Sequence, residues 1–133
     1  MQLCACKMGS LCAPPVPPAP QGLPVMVMLH GGGLTSGSGH HVALDGTALA
    51  RRGVVLVNLN YRLGSIGFLA GDGLFEGDLM AGNRGFMDTV RALEWIRDNI
   101  ARFGGDPANV TLMGQSGGGT NVWTVLASPS SKG

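Results

Sequence analysis

The sequence predicts an α/β fold, a mainly parallel sheet with flanking helices. Three observations carry this. Three short, mainly apolar runs, Val25–Leu29, Val54–Leu59 and Val110–Met113, have strand length, and Val25–Leu29, apolar throughout, reads as a strand buried on both faces. Segments of helical period lie between and after them. Glycines, 23 in 133 residues against a usual share of about 7%, gather at the ends of the apolar runs and so mark turns rather than a disordered tract.

Met1–Gly22 is expected to lie outside the packed domain as a Pro-rich, disordered N-terminal tail, because Ala13–Gln21 favours polyproline II and lacks sheet donors. Cys4, Cys6 and Cys12 fall in this tail with no histidine nearby, so they read as free thiols and no metal site is expected. Val25–Leu29 follows Pro24 as the first strand of the domain and ends in His30-Gly31-Gly32-Gly33. Ala43–Arg52 reads as a modest helix, with Asp45 as its cap and Gly53 as its stop. Val54–Leu59 is the next strand, followed by Asn60-Tyr61-Arg62. Leu63–Gly82 reads as a long excursion loop carrying Asp72, Glu76 and Asp78 as solvated charges.

Gly85–Phe103 is the clearest helix, since Phe86, Val90, Leu93, Ile96, Ile100 and Phe103 recur at three- and four-residue steps. Asp98 and Arg102 stand at a favourable i,i+4 spacing on it. Gly104-Gly105 stops the helix, and Asp106-Pro107 turns the chain into the Val110–Met113 strand. A last helix is expected over Gly119–Ala127. Alternating strands and helices in this order favour right-handed crossovers and a parallel sheet.

Composition excludes several function classes. A net charge of +1 argues against a nucleic-acid or anionic-membrane partner attracted by charge. No run approaches the roughly 18 apolar residues of a membrane-spanning helix, so no transmembrane segment is expected. Charged residues make up only 13% of the chain, about half the usual share, which leaves apolar surface for further segments to cover.

The chemistry concentrates at Gly114-Gln115-Ser116-Gly117-Gly118, a G-x-S-x-G sequence between a strand and a helix. This is the context of a nucleophile elbow, a turn tight enough to require glycine on both sides of the serine. The helix N-terminus behind it offers unpaired N–H groups to a developing oxyanion. The glycine loop after Leu29 has no lysine and so is not a P-loop, and Gly31-x-Gly33 is followed by Ser36 where a dinucleotide fingerprint needs glycine. Its remaining use is to present backbone N–H groups to an anion or oxyanion. In a parallel sheet both features stand at the C-terminal strand edge, where ligands gather.

Four blocks in order, Pro24–Gly39, Tyr61–Leu69, Gly82–Asp88 and Asn99–Val122, resemble the type-B carboxylesterase/lipase family of the α/β-hydrolase fold, which includes the cholinesterases. The resemblance implies a partial α/β-hydrolase fold, with Leu23–Gly133 as the N-terminal portion of the domain and its C-terminal part missing. It implies a serine esterase acting on small-molecule carboxylic esters through an acyl-enzyme, with no cofactor. Ser116 takes the place of the nucleophile. Gly32, Gly33 and Gly117 take the places of the oxyanion-hole N–H donors, and His30 is a loop-shaping residue.

The family's acid and base lie far downstream of its nucleophile and have no match in this chain. Gln115 stands where the family has glutamate, Gly117 where it has alanine, and Leu34 where an aromatic residue is common. The family's usual N-terminal block has no counterpart in Met1–Gln21. Two alternatives stand beside the esterase: a non-catalytic, cholinesterase-like binding or adhesion relative, and an inactive degenerate fragment.

Overall fold

The computed structural model describes residues 2–3, 22–71 and 82–129. Four strands form one sheet: β1 (Gln2–Leu3), β2 (Leu23–Leu29), β3 (Val55–Leu59) and β4 (Gly105–Gly114), in the order β1-β3-β2-β4. Among the described residues there are four α-helices, α1 (Thr47–Ala50), α2 (Gly64–Phe68), α3 (Arg84–Asn99) and α4 (Gly117–Ala127). β2 pairs in parallel with β3 on one side and β4 on the other. β1 pairs antiparallel with β3 through Gln2–Asn58 and Leu3–Val57. Gln2–Leu3 thus joins the sheet although it belongs to the tail expected outside the packed domain, since a strand of two residues shows no period in the sequence. The proline run at residues 13–21 lies outside the described residues, as do Asp72, Glu76 and Asp78.

β2 explains its own composition. Val25, Val27 and Leu29 point to one face and are buried with Val57, Leu59, Ile96 and Ile100. Met26 and Met28 point to the other face. With neighbours on both edges and side chains covered on both faces, every residue of the run is apolar. Each fully buried valine or leucine contributes roughly 1.5–3 kcal/mol of transfer free energy, so this layer outweighs any single polar contact in holding the fold.

The helices depart from the sequence expectations in instructive ways. The helix expected over Ala43–Arg52 is split into a 3-10 turn at Val42–Leu44 and the short α1. Asp45 is the cause: its carboxylate accepts from the Thr47 backbone N–H at 2.8 Å and hydroxyl at 2.5 Å, offering the chain a local turn in place of a continuous helix. The same bonds, the hydroxyl's first, hold its carboxyl below the usual range. The excursion after Arg62 contains α2, too short and glycine-rich to show a helical period.

α3 matches the expected helix, but its last turn, Ile100–Phe103, tightens to 3-10 geometry before Gly104 caps it in a left-handed conformation. This change of helix type rotates Arg102 out of the i,i+4 row, and Asp98 pairs instead with Arg97 at 2.8 Å. β4 is longer than the expected strand. It pairs Gly105 with Leu23 and then Val110 with Val25, so residues 106–109 form an excursion within it. Asp106 Oδ1 accepts from Ala108 N at 2.9 Å there, which is the turn chemistry expected of Asp106-Pro107. Gly105 lies where the helix crosses the sheet, and a Cβ there would stand 2.7 Å from Val25 and 2.8 Å from Ile100.

Apolar surface is left open, as the low charge content implies. Trp123 and Leu126 on α4 are 75% and 61% exposed. Among the described residues no helix is long and apolar enough to cross a membrane.

α3 is moored to the end of β3 by an ion pair. The Arg62 guanidinium meets Asp88 through Nη2 at 2.7 Å and Nε at 2.8 Å, and the Arg62 backbone N–H reaches the same carboxylate at 2.9 Å. Burial pushes the Asp88 carboxyl up, but these bonds and the arginine charge outweigh it and hold the group below its usual range. The stabilisation is therefore present above the unfolded carboxylate pKa of about 3.9 and is lost as pH falls through the lower folded value. Arg62 is half exposed, so the effect is modest. Asp88→Asn is expected to lower stability by about 1 kcal/mol at pH 7 in urea unfolding, and the gap from the parent is expected to close below about pH 4.

Candidate active site

The parallel register sets three strand ends level. Leu29 pairs with Leu59 of β3 and with Gly114 of β4. The segments that follow, His30–Gly33, Asn60–Arg62 and Gln115–Gly117, therefore leave the same edge of the sheet side by side.

The elbow is built on β4 and α4. Ser116 has φ 52° and ψ −120°, a backbone conformation that a non-glycine residue adopts only when its surroundings impose it. They do so through close packing. Gln115 N donates to Leu29 O at 3.2 Å, Gly118 N to Gln115 O at 2.9 Å, and Thr120 N to Ser116 O at 3.1 Å. A Cβ on Gly114 would run into the Gly118 carbonyl, and one on Gly118 into the Leu29 carbonyl. The glycines of the motif thus let α4 begin directly against the end of β2. Ser116 itself is exposed at the α4 N-terminus, at the positive end of the helix dipole.

The glycine loop curls back on itself over residues 32–36. Gly32 O accepts from the backbone N–H groups of Thr35 and Ser36, each at 3.1 Å, and from both hydroxyls. Gly32, Gly33 and Leu34 all have positive φ, at 117°, 60° and 63°. Leu34 is held in this strained conformation by the N–H of Gly64, which donates to its carbonyl at 2.7 Å. The loop and the elbow meet at Gly117, where a Cβ would lie 3.0 Å from the amide nitrogens of both Gly33 and Leu34. Among the described residues the N–H groups of Gly32, Gly33 and Gly117 have no hydrogen-bond acceptor.

Three consecutive residues beyond β3 hold this edge together. Asn60 Oδ1 accepts from Gly39 N at 2.8 Å, and its Nδ2 donates to His40 Nδ1 at 3.1 Å. Tyr61 Oη donates to His30 O at 2.7 Å, and its ring stacks on the His30 imidazole at 4.6 Å and 11°. Burial raises the Tyr61 phenol above its ordinary pKa. Arg62 binds α3 as described. The sequence places Asn60–Arg62 at the right edge but carries no signal for these bonds, which join residues far apart in the chain.

The histidines are all engaged away from Ser116. His30 Nδ1 meets Gly31 O at 2.8 Å, His40 meets Asn60, and His41 Nδ1 accepts from Ala43 N at 3.2 Å. Among the described residues no group of three or more His, Cys, Asp or Glu side chains gathers to hold a metal.

A parallel sheet with flanking helices, a strained serine between a strand and a helix, and a glycine loop from the neighbouring strand define an α/β-hydrolase fold, of which this chain forms a part. The model of the carboxylesterase family matches residues 10–133, and the chain belongs to that family. It is 44% identical to para-nitrobenzyl esterase of Bacillus subtilis (strain 168) over 129 residues, 96% of this chain and 26% of the relative. It is 50% identical to cocaine esterase of Oryctolagus cuniculus over 113 residues, 84% of this chain and 20% of the relative.

Among solved structures, a PNB esterase superposes with a TM-score of 0.79 at 45% identity, covering 86% of this chain and 24% of the other. A Geobacillus stearothermophilus carboxylesterase at pH 6.2 gives 0.80 at 44% identity, covering 84% and 24%. The chain thus spans about a quarter of the length of the relatives it matches.

The packing at the elbow distinguishes its glycines. Gly118→Ala is expected to destabilise the protein by about 3 kcal/mol, because the new methyl meets the Leu29 carbonyl on an immobile strand end. Gly119→Ala is expected to unfold no more readily than the parent, since its Cβ stands at an ordinary 3.4 Å from Gly114 O and alanine favours the helix. Urea unfolding of the two variants checks both.

Proposed function

We propose that this chain supplies the nucleophile and the oxyanion hole of a serine ester hydrolase acting on small-molecule carboxylic esters. Ser116 Oγ attacks the ester carbonyl carbon and gives its proton to a general base. The alcohol leaves, and water then hydrolyses the acyl-serine and regenerates Ser116. The N–H groups of Gly32, Gly33 and Gly117 bind the carbonyl oxygen as it becomes negative. The observation that carries this reading is the meeting of Gly117 with Gly33 and Leu34 beside a strained, exposed serine, with N–H groups left unpaired. The names of the esterases it resembles support the substrate class.

The base is the missing participant. The three histidines are hydrogen-bonded elsewhere, and Ser116 Oγ has no hydrogen-bond partner among the described residues. An alcohol without a base is a poor nucleophile, so the reading assigns the acid and the base to segments outside residues 1–133. Gln115 beside the nucleophile is neutral where the family has glutamate, which weakens stabilisation of a histidinium near the serine. The second reading is a non-catalytic relative that keeps the fold for partner binding, and the presence of Ser116 weighs against it.

Labelling separates the two. The natively expressed protein that carries this segment is expected to react with a fluorophosphonate probe, and Ser116→Ala to abolish the reaction. Labelling that survives the substitution removes Ser116 from the mechanism, and absence of labelling in the parent favours the binding protein. Residues 1–133 alone are expected to hydrolyse 4-nitrophenyl acetate no faster than background.

A further inference from the structure

We infer that His30 is a positioning residue for the oxyanion hole, acting as its Nδ1–H tautomer to hold the Gly31–Gly32 peptide in one orientation. The inference rests on the reading of the Gly32 N–H as an oxyanion donor and goes beyond it to what aims that donor.

The carbonyl of Gly31 and the N–H of Gly32 belong to the same planar trans peptide and point in opposite directions. His30 Nδ1 lies 2.8 Å from Gly31 O. A carbonyl oxygen only accepts, so Nδ1 carries the proton in this contact. Pinning the carbonyl toward the imidazole turns the Gly32 N–H away from it, where among the described residues it finds no acceptor. A flipped peptide would replace that donor with a carbonyl oxygen, which repels an oxyanion.

The imidazole is itself fixed. It is buried, with 3% of its surface exposed, and Nε2 has no partner among the described residues. Its ring is stacked on Tyr61, whose hydroxyl holds the His30 carbonyl at 2.7 Å. The returning limb of the loop closes over the contact at Gly37. A Cβ there would collide with Gly31 O and stand 2.5 Å from His30 Nδ1, and Gly37 has φ 112°. The Gly37 backbone thus packs against both partners of this hydrogen bond and leaves no room there for a side chain. Packing alone would be served by any ring of this size, whereas aiming the peptide requires a donor at the δ position.

The test uses that difference. The amide nitrogen of asparagine takes the place of imidazole Nδ1, and that of glutamine the place of Nε2. In the natively expressed protein, His30→Asn is expected to retain kcat for 4-nitrophenyl acetate to within about fivefold. His30→Gln and His30→Ala are expected to lower kcat roughly 10²-fold, the usual loss for one oxyanion donor, with KM within about twofold. Equal losses in the asparagine and glutamine variants, or losses confined to KM, overturn the inference.

Nitrogen-15 NMR of the imidazole gives an independent reading, with Nδ1 protonated and Nε2 bare expected, and an Nε2–H tautomer overturns the inference outright. If hydrolysis proves independent of Ser116, the proposed function fails separately. The tautomer and the Gly32 amide resonance then decide the inference: it stands if His30→Asn leaves that resonance near the parent and His30→Gln moves it, and the reverse overturns it.

Discussion

The backbone ladder that sets Leu29 level with Leu59 and Gly114 is the constraint on which the candidate site depends. Parallel strands have evenly spaced hydrogen bonds and no freedom to slip once one face is buried, because a slip of one residue exchanges the faces. Val25, Val27 and Leu29 are buried on one face and the methionines stand on the other, so a slip of one residue would place methionines where branched side chains pack against α3. Once the register is fixed, the glycine loop and the serine turn must leave the sheet next to one another. The Gln115 N–H to Leu29 O bond carries the ladder one step further and seats the elbow on the strand end.

Two glycine-rich turns placed side by side would still be free to move. They are restrained by polar contacts from Asn60, Tyr61 and Arg62, each tied to a different part of the edge. Asn60 holds the returning limb of the loop, Tyr61 its stem, and Arg62 the start of α3. Each bond contributes only about 1 kcal/mol, less than one buried leucine in the layer beneath. Their importance lies in direction. Apolar contacts hold a surface in place with little preference for orientation, whereas a hydrogen bond to a named carbonyl selects one peptide orientation.

Much of this was legible in the sequence. β2, β3 and α3 follow from short, mainly apolar runs and a sustained helical period, and the G-x-S-x-G sequence between a strand and a helix located the elbow. Elements without such patterns were not legible. Asp45 divides a segment whose apolar spacing alone reads as one helix, and α2 is five residues rich in glycine. The Asp98–Arg102 pairing was a correct inference for a continuous α-helix and fails because the last turn of this one tightens. Tyr61 and Asn60 could be assigned to the edge, but nothing local to them names their partners.

The sequence by itself determined the α/β class and the order of the main strands and helices through periodicity and turn chemistry, which act over a few neighbouring residues. The G-x-S-x-G motif pointed to Ser116, and the resemblance to the family supplied the expected places of Gly32, Gly33 and Gly117. The tertiary structure alone decided that Gly117 meets Gly33, that every histidine is bonded away from Ser116, and that the His30 imidazole is wedged between Tyr61 and Gly37. Those outcomes depend on contacts between residues as far apart in the chain as Gly33 and Gly117, and on atoms brought within about 3 Å by a sheet that no local pattern describes.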